Sequence, residues 1–366
     1  MLIMKKQLGR LAIIAVVTIL AFFLARFDSF LYPAPVGQVT AVKQTSQETT
    51  TDEFGNQDGQ YTQNLTVKLL NRSGQTVKIQ NQVMASQTMT TNYEVGDQIL
   101  LKEYSGSYQI DTIKRDSTLL ALVALLVTAT IIYVRFKKTS FLLLSIVLNA
   151  AVFVVALVVD VHVKSLPVVL WFSLVAVALA SLSLYLVLGR SRQAHITLAA
   201  TAITTALAVF VMWFVLLVTG GIGVHFETMS FVTQVPAPIF YAQTIIGVLG
   251  AVMDESADIV AGLFGLHRES PHRPFKDYWQ AGLSVGREIL GTLTNVLFMI
   301  FIAETIPMVI LMLRNGNNWS YILDQVMNLG ILQTVVSALG IVWAVPVTAG
   351  LTAWKLRHQE EEEAAK

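Results

Sequence analysis

The chain has 366 residues, 54% of them hydrophobic and 13% charged, with a formal net charge of +1 and a mean hydropathy of +0.61. A soluble domain keeps about a quarter of its residues charged, so most of this chain is excluded from being one. No cysteine is present, which removes disulfides, thiol catalysis and thiolate metal sites.

The N-terminus carries Lys5, Lys6 and Arg10 ahead of the apolar run Leu11–Phe27. The run is long, ends in the bulky Phe22, Phe23 and Leu24, and lacks a small-x-small cleavage site. It reads as an uncleaved anchor helix rather than a signal peptide.

Segment 28–116 changes character. Alternating runs at Val36–Val42, Leu65–Leu69, Thr76–Ile79 and Gln98–Leu101 predict short strands. Turn signals separate them at Gly55-Asn56, Asp58-Gly59, Ser73-Gly74 and Gly96-Asp97. The pattern predicts a small closed or half-closed β-barrel of about five strands. It is rich in Thr, Gln and Asn, has no histidine, and offers nothing catalytic; the sequons at Asn64 and Asn71 read as chance matches.

Eight apolar blocks of membrane-spanning length follow one another at about 9–27, 117–134, 140–160, 166–188, 196–218, 237–264, 284–312 and 326–354. The fold class is therefore a polytopic α-helical membrane bundle with one extracytoplasmic β-barrel-like domain inserted after the first helix. The domains are an anchor (1–27), the β-rich domain (28–116), the bundle (117–358) and an acidic tail (359–366). Lys5/Lys6/Arg10, Arg135/Lys137/Lys138, Arg190/Arg192, Arg268/Arg273/Lys276 and Lys355/Arg357 all fall on one side, with Lys164 and Arg314 the main exceptions. Positive-inside bias then places both termini in the cytoplasm and residues 28–116 outside. Boundary aromatics agree: Tyr133, Tyr185, Trp279 and Trp354 on one side, Trp171, Trp213, Trp319 and Tyr321 on the other, while Trp343 falls mid-span. The tail Gln359–Lys366 reads as solvated.

Spans six to eight carry the chemistry. A carboxylate near a helix centre costs about 2.5–3.5 kcal/mol on insertion scales, so Asp254, Glu255 and Asp258 need a reason. At about 100° per residue, Gly247, Ala251, Asp254, Asp258, Ala261 and Gly265 share one stripe of span six, with Gly250 beside it. Small residues let a neighbouring backbone approach, so this stripe is expected to face a protein seam. Arg287 of span seven is expected at the depth of the two aspartates, as their partner. Arg287, Gly291 and Asn295 line one face of span seven; Gly282, Gly286, Leu293, Leu297 and Glu304 line another, before Pro307. Span eight carries Gln333, Ser337, Gly340 and Ala344 on one stripe, then Pro346. Gly247, Gly250, Ala251, Gly282, Gly286, Gly291, Pro307 and Pro346 are the expected packing positions. The bland alternative is that a buried Asp–Arg pair only fixes helix register. His162 and His225 read as surface residues, and His267, Glu269 and His272 as a basic loop rather than a metal site.

These motifs carry a resemblance. Gly250-Ala-Val-Met-Asp254, Gly286-Arg-Glu-Ile, Gly291-Thr-Leu-Thr-Asn295, Pro307 and Gly340-Ile-Val-Trp-Ala-Val-Pro346 together resemble the YibE/F-like family of bacterial multi-pass membrane proteins. The likeness spans anchor, outer domain and bundle. The chain departs from the family pattern at Glu255 and Asp258, where a small or apolar stretch is expected, and at Glu304, where a neutral residue is. The resemblance implies a permease-like protein, and a shorter relative without the outer domain as a hetero-oligomeric partner.

Two functions compete. The first is ion- or proton-coupled transport of a small solute across the bacterial cytoplasmic membrane, with Asp254, Asp258 and Arg287 as its site. The second is a membrane-anchored scaffold whose outer domain binds a partner. An enzyme is not expected, since no Ser/His, His-Glu-x-x-His or Gly-x-Gly-Asp pattern lies in a span. There is no nucleotide-binding loop either, and no cofactor or nucleic-acid partner is expected.

Overall fold

A computed structural model describes residues 2–364 except 46–47, 52, 54, 56, 73, 88–89, 105, 134–135, 164–165 and 227–235. Arg135, Lys164, the turn residues Asn56 and Ser73, and the side chains of the tail lie outside the described residues. The chain forms two compact units, Met1–Thr139 and Ser140–Lys366.

The first unit holds α1 (Leu2–Arg26), six strands and α2 (Asp116–Tyr133). The strands are β1 (Val36–Gln44), β2 (Glu48–Thr51), β3 (Gln57–Leu69), β4 (Thr76–Met84), β5 (Gln98–Tyr104) and β6 (Ser107–Ile113). All strand pairings among the described residues are antiparallel. β1 runs beside β3 from Gly37↔Leu69 to Gln44↔Gln63, with a register shift between Val39 and Ala41. β2 continues along the same edge of β3, from Glu48↔Gln60 to Thr51↔Gln57. β4 covers the other edge, from Gln60↔Met84 to Lys68↔Thr76. β1 also pairs with β5, and β5 with β6. The spatial order β4-β3-β1-β5-β6 leaves β4 and β6 parallel, with Cα atoms within 8 Å but no ladder between them among the described residues. This is a half-closed barrel of five effective strands, in the Greek-key order of an OB-type domain.

Alternation builds its core. Leu65, Val67 and Leu69 of β3 point inward with Val39, Ile79, Tyr93, Ile99 and Leu101, while Asn64 and Lys68 stay exposed. One inward position of β3 is polar: Gln63, fully buried. Its amide donates to Asn92 Oδ1 (2.7 Å) and the Tyr93 carbonyl (3.1 Å), and its oxygen accepts from Asn81 Nδ2 and the Tyr93 N–H, both at 3.1 Å. A buried amide with every group satisfied is a fastener, and this one pins the β4–β5 connection onto the barrel. Asn71 of the second sequon is likewise structural. Its Oδ1 accepts from the Val36 N–H, and its Nδ2 donates to the Tyr32 and Ala34 carbonyls.

The barrel is knotted to its two helices by Lys114, which follows β6. The lysine side chain is 1% exposed and lies 2.7 Å from Asp28 and 2.9 Å from Asp116. It also donates to the Ala25 carbonyl and sits over the Tyr32 ring. Gln98 donates to the Arg26 carbonyl (3.0 Å), and Arg26 donates to the Gly96 carbonyl (2.7 Å). The orphan carbonyls that end any helix are thus capped for α1 by the barrel. Tyr32 donates to Asp116 Oδ2 at 2.6 Å. That hydrogen bond to a carboxylate, then burial and the charges of Asp116 and Asp28, push its phenol up to about 12.

The second unit comprises α3 (Phe136–His162, from Ser140 onward), α4 (Val168–Leu188), α5 (Arg192–Thr219), α6 (Pro236–Glu269), α7 (Phe275–Arg314), the short α8 (Trp319–Tyr321), a π turn (Ile322–Met327) and α9 (Asn328–Ala364). Ser191 caps α5 by accepting from the Ala194 N–H, and Gly220 ends it in the left-handed region at φ 64°. α3 is fastened to α4 by Asn149, which donates to Ser183 Oγ at 2.7 Å, and by Trp171, which donates to the Ala156 carbonyl. α5, α6 and α9 form the centre: Ala208, Met212 and Leu216 pack with Phe240, Val248, Val252, Val336 and Ala344. A second cluster joins Ile259 and Leu263 of α6, Tyr278 of α7, and Val345, Ala349, Ala353 and Leu356 of α9. His225 pairs with Asp324 at 3.1 Å, and Asn328 donates to the Gly223 carbonyl, so the segment after α5 holds the middle of the π turn and the residue that follows it.

Among the described residues, eight helical stretches are long and apolar enough to cross a membrane, from Gln7–Arg26 to Trp319–His358. Sequence reading placed all eight. The sixth, seventh and eighth are longer than expected, at 34, 40 and 40 residues.

Candidate functional site

The structure turns the expected acid–base seam outward. Asp254, Asp258 and Arg287 are all exposed, and among the described residues no ion pair within 4.0 Å joins either aspartate to the arginine. The expectation that these three face one another inside the bundle is corrected. α6 packs its other face, along Val248, Val252, Glu255, Ser256, Ile259 and Leu263. The physical reason is a division of labour. α6 supplies bulky branched side chains, and the small residues that receive them belong to α9, at Gly340, Ala344 and Ala349.

The expected packing positions separate accordingly. A Cβ on Gly282 would stand 2.6 Å from Ala349 Cβ and 3.2 Å from its Cα; on Gly286 it would meet Val345 at 2.5 Å. These glycines are the contact surface between α7 and α9. Gly247 is exposed, with space limited by the Gln333 amide, and Gly250 and Gly291 face open space. Ala251 is half-buried. Pro307 lies exposed within α7 and Pro346 half-buried within α9. Asn295 and Glu304 are exposed. His267 meets the Tyr278 hydroxyl at 2.7 Å.

The acid that does enter the bundle is Glu255. It is fully buried, and neither carboxyl oxygen has a hydrogen-bond partner. A row of threonines on α5 shares this condition: Thr197, Thr201 and Thr204 at 0% exposure and Thr205 at 6%, all with hydroxyl oxygens unpartnered. Threonines in apolar helices normally satisfy themselves by donating to the carbonyl four residues back. Thr244, Thr305, Thr334 and Thr352 do so, at 2.7–3.0 Å. The four on α5 do not.

Thr204 and Glu255 come to about the same level, with Thr201 and Thr205 within one turn and Thr197 a further turn along α5. α5 and α6 share one cluster, with Ala208, Met212 and Leu216 from the first and Phe240, Val248 and Val252 from the second, and Ala208, Val248 and Val252 all stand within 3.5 Å of where a Gly340 Cβ would be. One turn back along α5 from Ala208 is Thr204, and one turn forward along α6 from Val252 are Glu255 and Ser256. α9 joins them there, since Thr348 donates to Ser256 Oγ at 3.0 Å in a fully buried contact. Beside Thr205 an apolar groove of about 670 Å³ opens between α4, α5 and α6, lined by Val169, Ala176, Phe210, Trp213 and Tyr241.

An ionised carboxylate is not left alone in an apolar interior; it takes a proton or a cation. The threonine row was missed at the sequence level because span five reads as plainly lipid-soluble. The spacing Thr197, Thr201, Thr204, Thr205 was nonetheless a legible stripe.

The comparisons agree with this architecture in extent. Residues 30–114, the half-barrel, match the YibE/F family N-terminal domain, and residues 122–358, from α2 into α9, match the YibE/F-like protein family. No curated protein and no solved structure matches the chain. With eight long apolar helices among the described residues, the first before the half-barrel and seven after it, and both family regions in sequence, the chain belongs to the YibE/F-like family of multi-pass membrane proteins.

Proposed function

We propose that the protein is a permease of the bacterial cytoplasmic membrane that couples movement of a small solute to a proton or small cation at Glu255. In this reading both termini are cytoplasmic and the half-barrel lies outside. The observation that carries it is the fully buried carboxyl without a hydrogen-bond partner. Such a group is costly at membrane depth, and its retention points to an ion pathway. Asp254 and Asp258, on the exposed face of the same helix, form the approach to the seam from the cytoplasmic end, with Arg287 setting its charge. The groove beside Thr205 suits an apolar part of the solute.

A second reading has its own support. The Lys114 knot makes the half-barrel a rigid head on α1 and α2, which suits a scaffold that presents a binding face to a partner, such as a shorter relative.

The test is flux in proteoliposomes across a panel of ions, with and without a pH gradient. Glu255→Gln is expected to abolish flux and leave the melting temperature near that of the parent, because glutamine keeps the shape without the charge. Parent-like flux in Glu255→Gln would remove Glu255 from the mechanism. Absence of flux in the parent under every gradient would leave the scaffold reading in its place.

A further inference from the structure

We infer that Glu255 and the threonine row of α5 form a binding site for a dehydrated alkali-metal cation of sodium size. The inference deepens the transport reading and rests on it for what the ion is used for; binding itself is a separate property.

Two independent features carry it. The first is the unpartnered, fully buried Glu255 carboxyl. The second is the set of unpartnered hydroxyl oxygens on the facing helix, Thr197, Thr201, Thr204 and Thr205. A proton on Glu255 would neutralise the carboxyl but leave those hydroxyl oxygens without a role. Carboxylate and hydroxyl oxygens together are the donor set of a hard cation. Charge selects the valence: α5 carries no charged residue between Ile196 and Thr219, nor does α9 between Asn328 and Trp354, and the two aspartates beside Glu255 on α6, Asp254 and Asp258, are exposed rather than buried with it. One carboxylate then balances one positive charge, and a divalent ion would leave a net charge buried. The helices are closely packed at this level, with Ser256 and Thr348 in direct contact, which favours an ion stripped of water and of small radius.

The experiment uses the purified full-length protein and sodium itself. Melting temperature is measured as sodium chloride replaces choline chloride at constant ionic strength, and again with potassium chloride. Bound radiolabelled sodium is counted in parallel. A site on the folded state raises the melting temperature with the logarithm of ligand concentration. The parent is expected to rise saturably with sodium, much less with potassium, and to bind one sodium per chain. Glu255→Gln and the double variant Thr201→Val/Thr204→Val are expected to melt like the parent in choline and to lose the sodium response. Valine keeps the threonine shape, so the double variant decides the question even if Glu255→Gln fails to fold. An identical melt in sodium and choline, or a full sodium response in the double variant, overturns the site. Flux driven by a pH gradient without any sodium response keeps the transport reading and overturns this inference. Saturable sodium binding without flux does the reverse.

Discussion

Replacing Lys114 by alanine is expected to destabilise the first unit by about 3 kcal/mol, the lower end of the range for breaking a buried ion pair. The lysine is 1% exposed, but Asp28 and Asp116 keep 20% and 29% of their side-chain exposure, so water screens part of the loss. What remains is two carboxylates facing one another without a cation and an uncapped Ala25 carbonyl at the end of α1. A denaturant melt of the purified protein measures it. Adding Asp28→Asn to the variant should recover part of the loss, since it removes one of the stranded charges. A loss under about 1 kcal/mol would reduce the knot to an ordinary surface pair. Tyr32 supplies a second readout. Its phenol is held protonated by Asp116, up to about 12 against an ordinary value near 10. That support is present below the ordinary value and is lost as pH rises through about 12. With the lysine gone, the unscreened carboxylates should push the Tyr32 ultraviolet titration higher still.

Gly282→Leu is expected to cost 3 kcal/mol or more, at or beyond the upper end of the roughly 1–3 kcal/mol typical of overpacking, and Gly291→Leu almost nothing. The two glycines lie on the same helix, nine positions apart, and look alike in sequence. At Gly282 the first added carbon meets Ala349 Cβ at 2.6 Å and the Ala349 Cα at 3.2 Å. Backbone cannot step aside, so α7 must lift from α9. At Gly291 nothing stands within 4 Å, and a change on an open surface falls within about 0.5 kcal/mol of neutral. Thermal melts of the two variants in the same detergent compare them directly. Equal losses would mean that the α7–α9 contact does not depend on close approach at Gly282.

The architecture was legible because its signals are long-range averages. Every apolar block of spanning length became a helix, and alternation along Leu65–Leu69 set the inward face of β3. The site was legible only in part. Span six was singled out for its acids and its orientation assigned by residue size, and the structure packs the branched face instead. Glu255 stands next to Asp254 in the chain and differs from it by a single 100° step around the helix; sequence alone does not say which of two adjacent acids goes inside. Lys114 escaped notice because an isolated lysine between a strand and a helix has no pattern. Its partners Asp28 and Asp116 are 86 and 2 positions away. Gln63 escaped for a related reason: it occupies an inward position of β3, yet alternation reasoning scans for apolar residues there.

The π turn at Ile322–Met327 has a consequence for chain length. A π turn is an α-helix carrying one surplus residue. Deleting one residue from it restores continuous α-helix and leaves Gly330, Gly340 and Thr348 in register with their neighbours. A deletion farther along, at Leu339 for instance, rotates everything on one side by about 100° and parts Thr348 from Ser256 or Gly330 from Phe301, which now lie in contact. The last helix therefore tolerates insertion and deletion at the turn held by His225 and Asn328, and length differences between homologous chains should accumulate there.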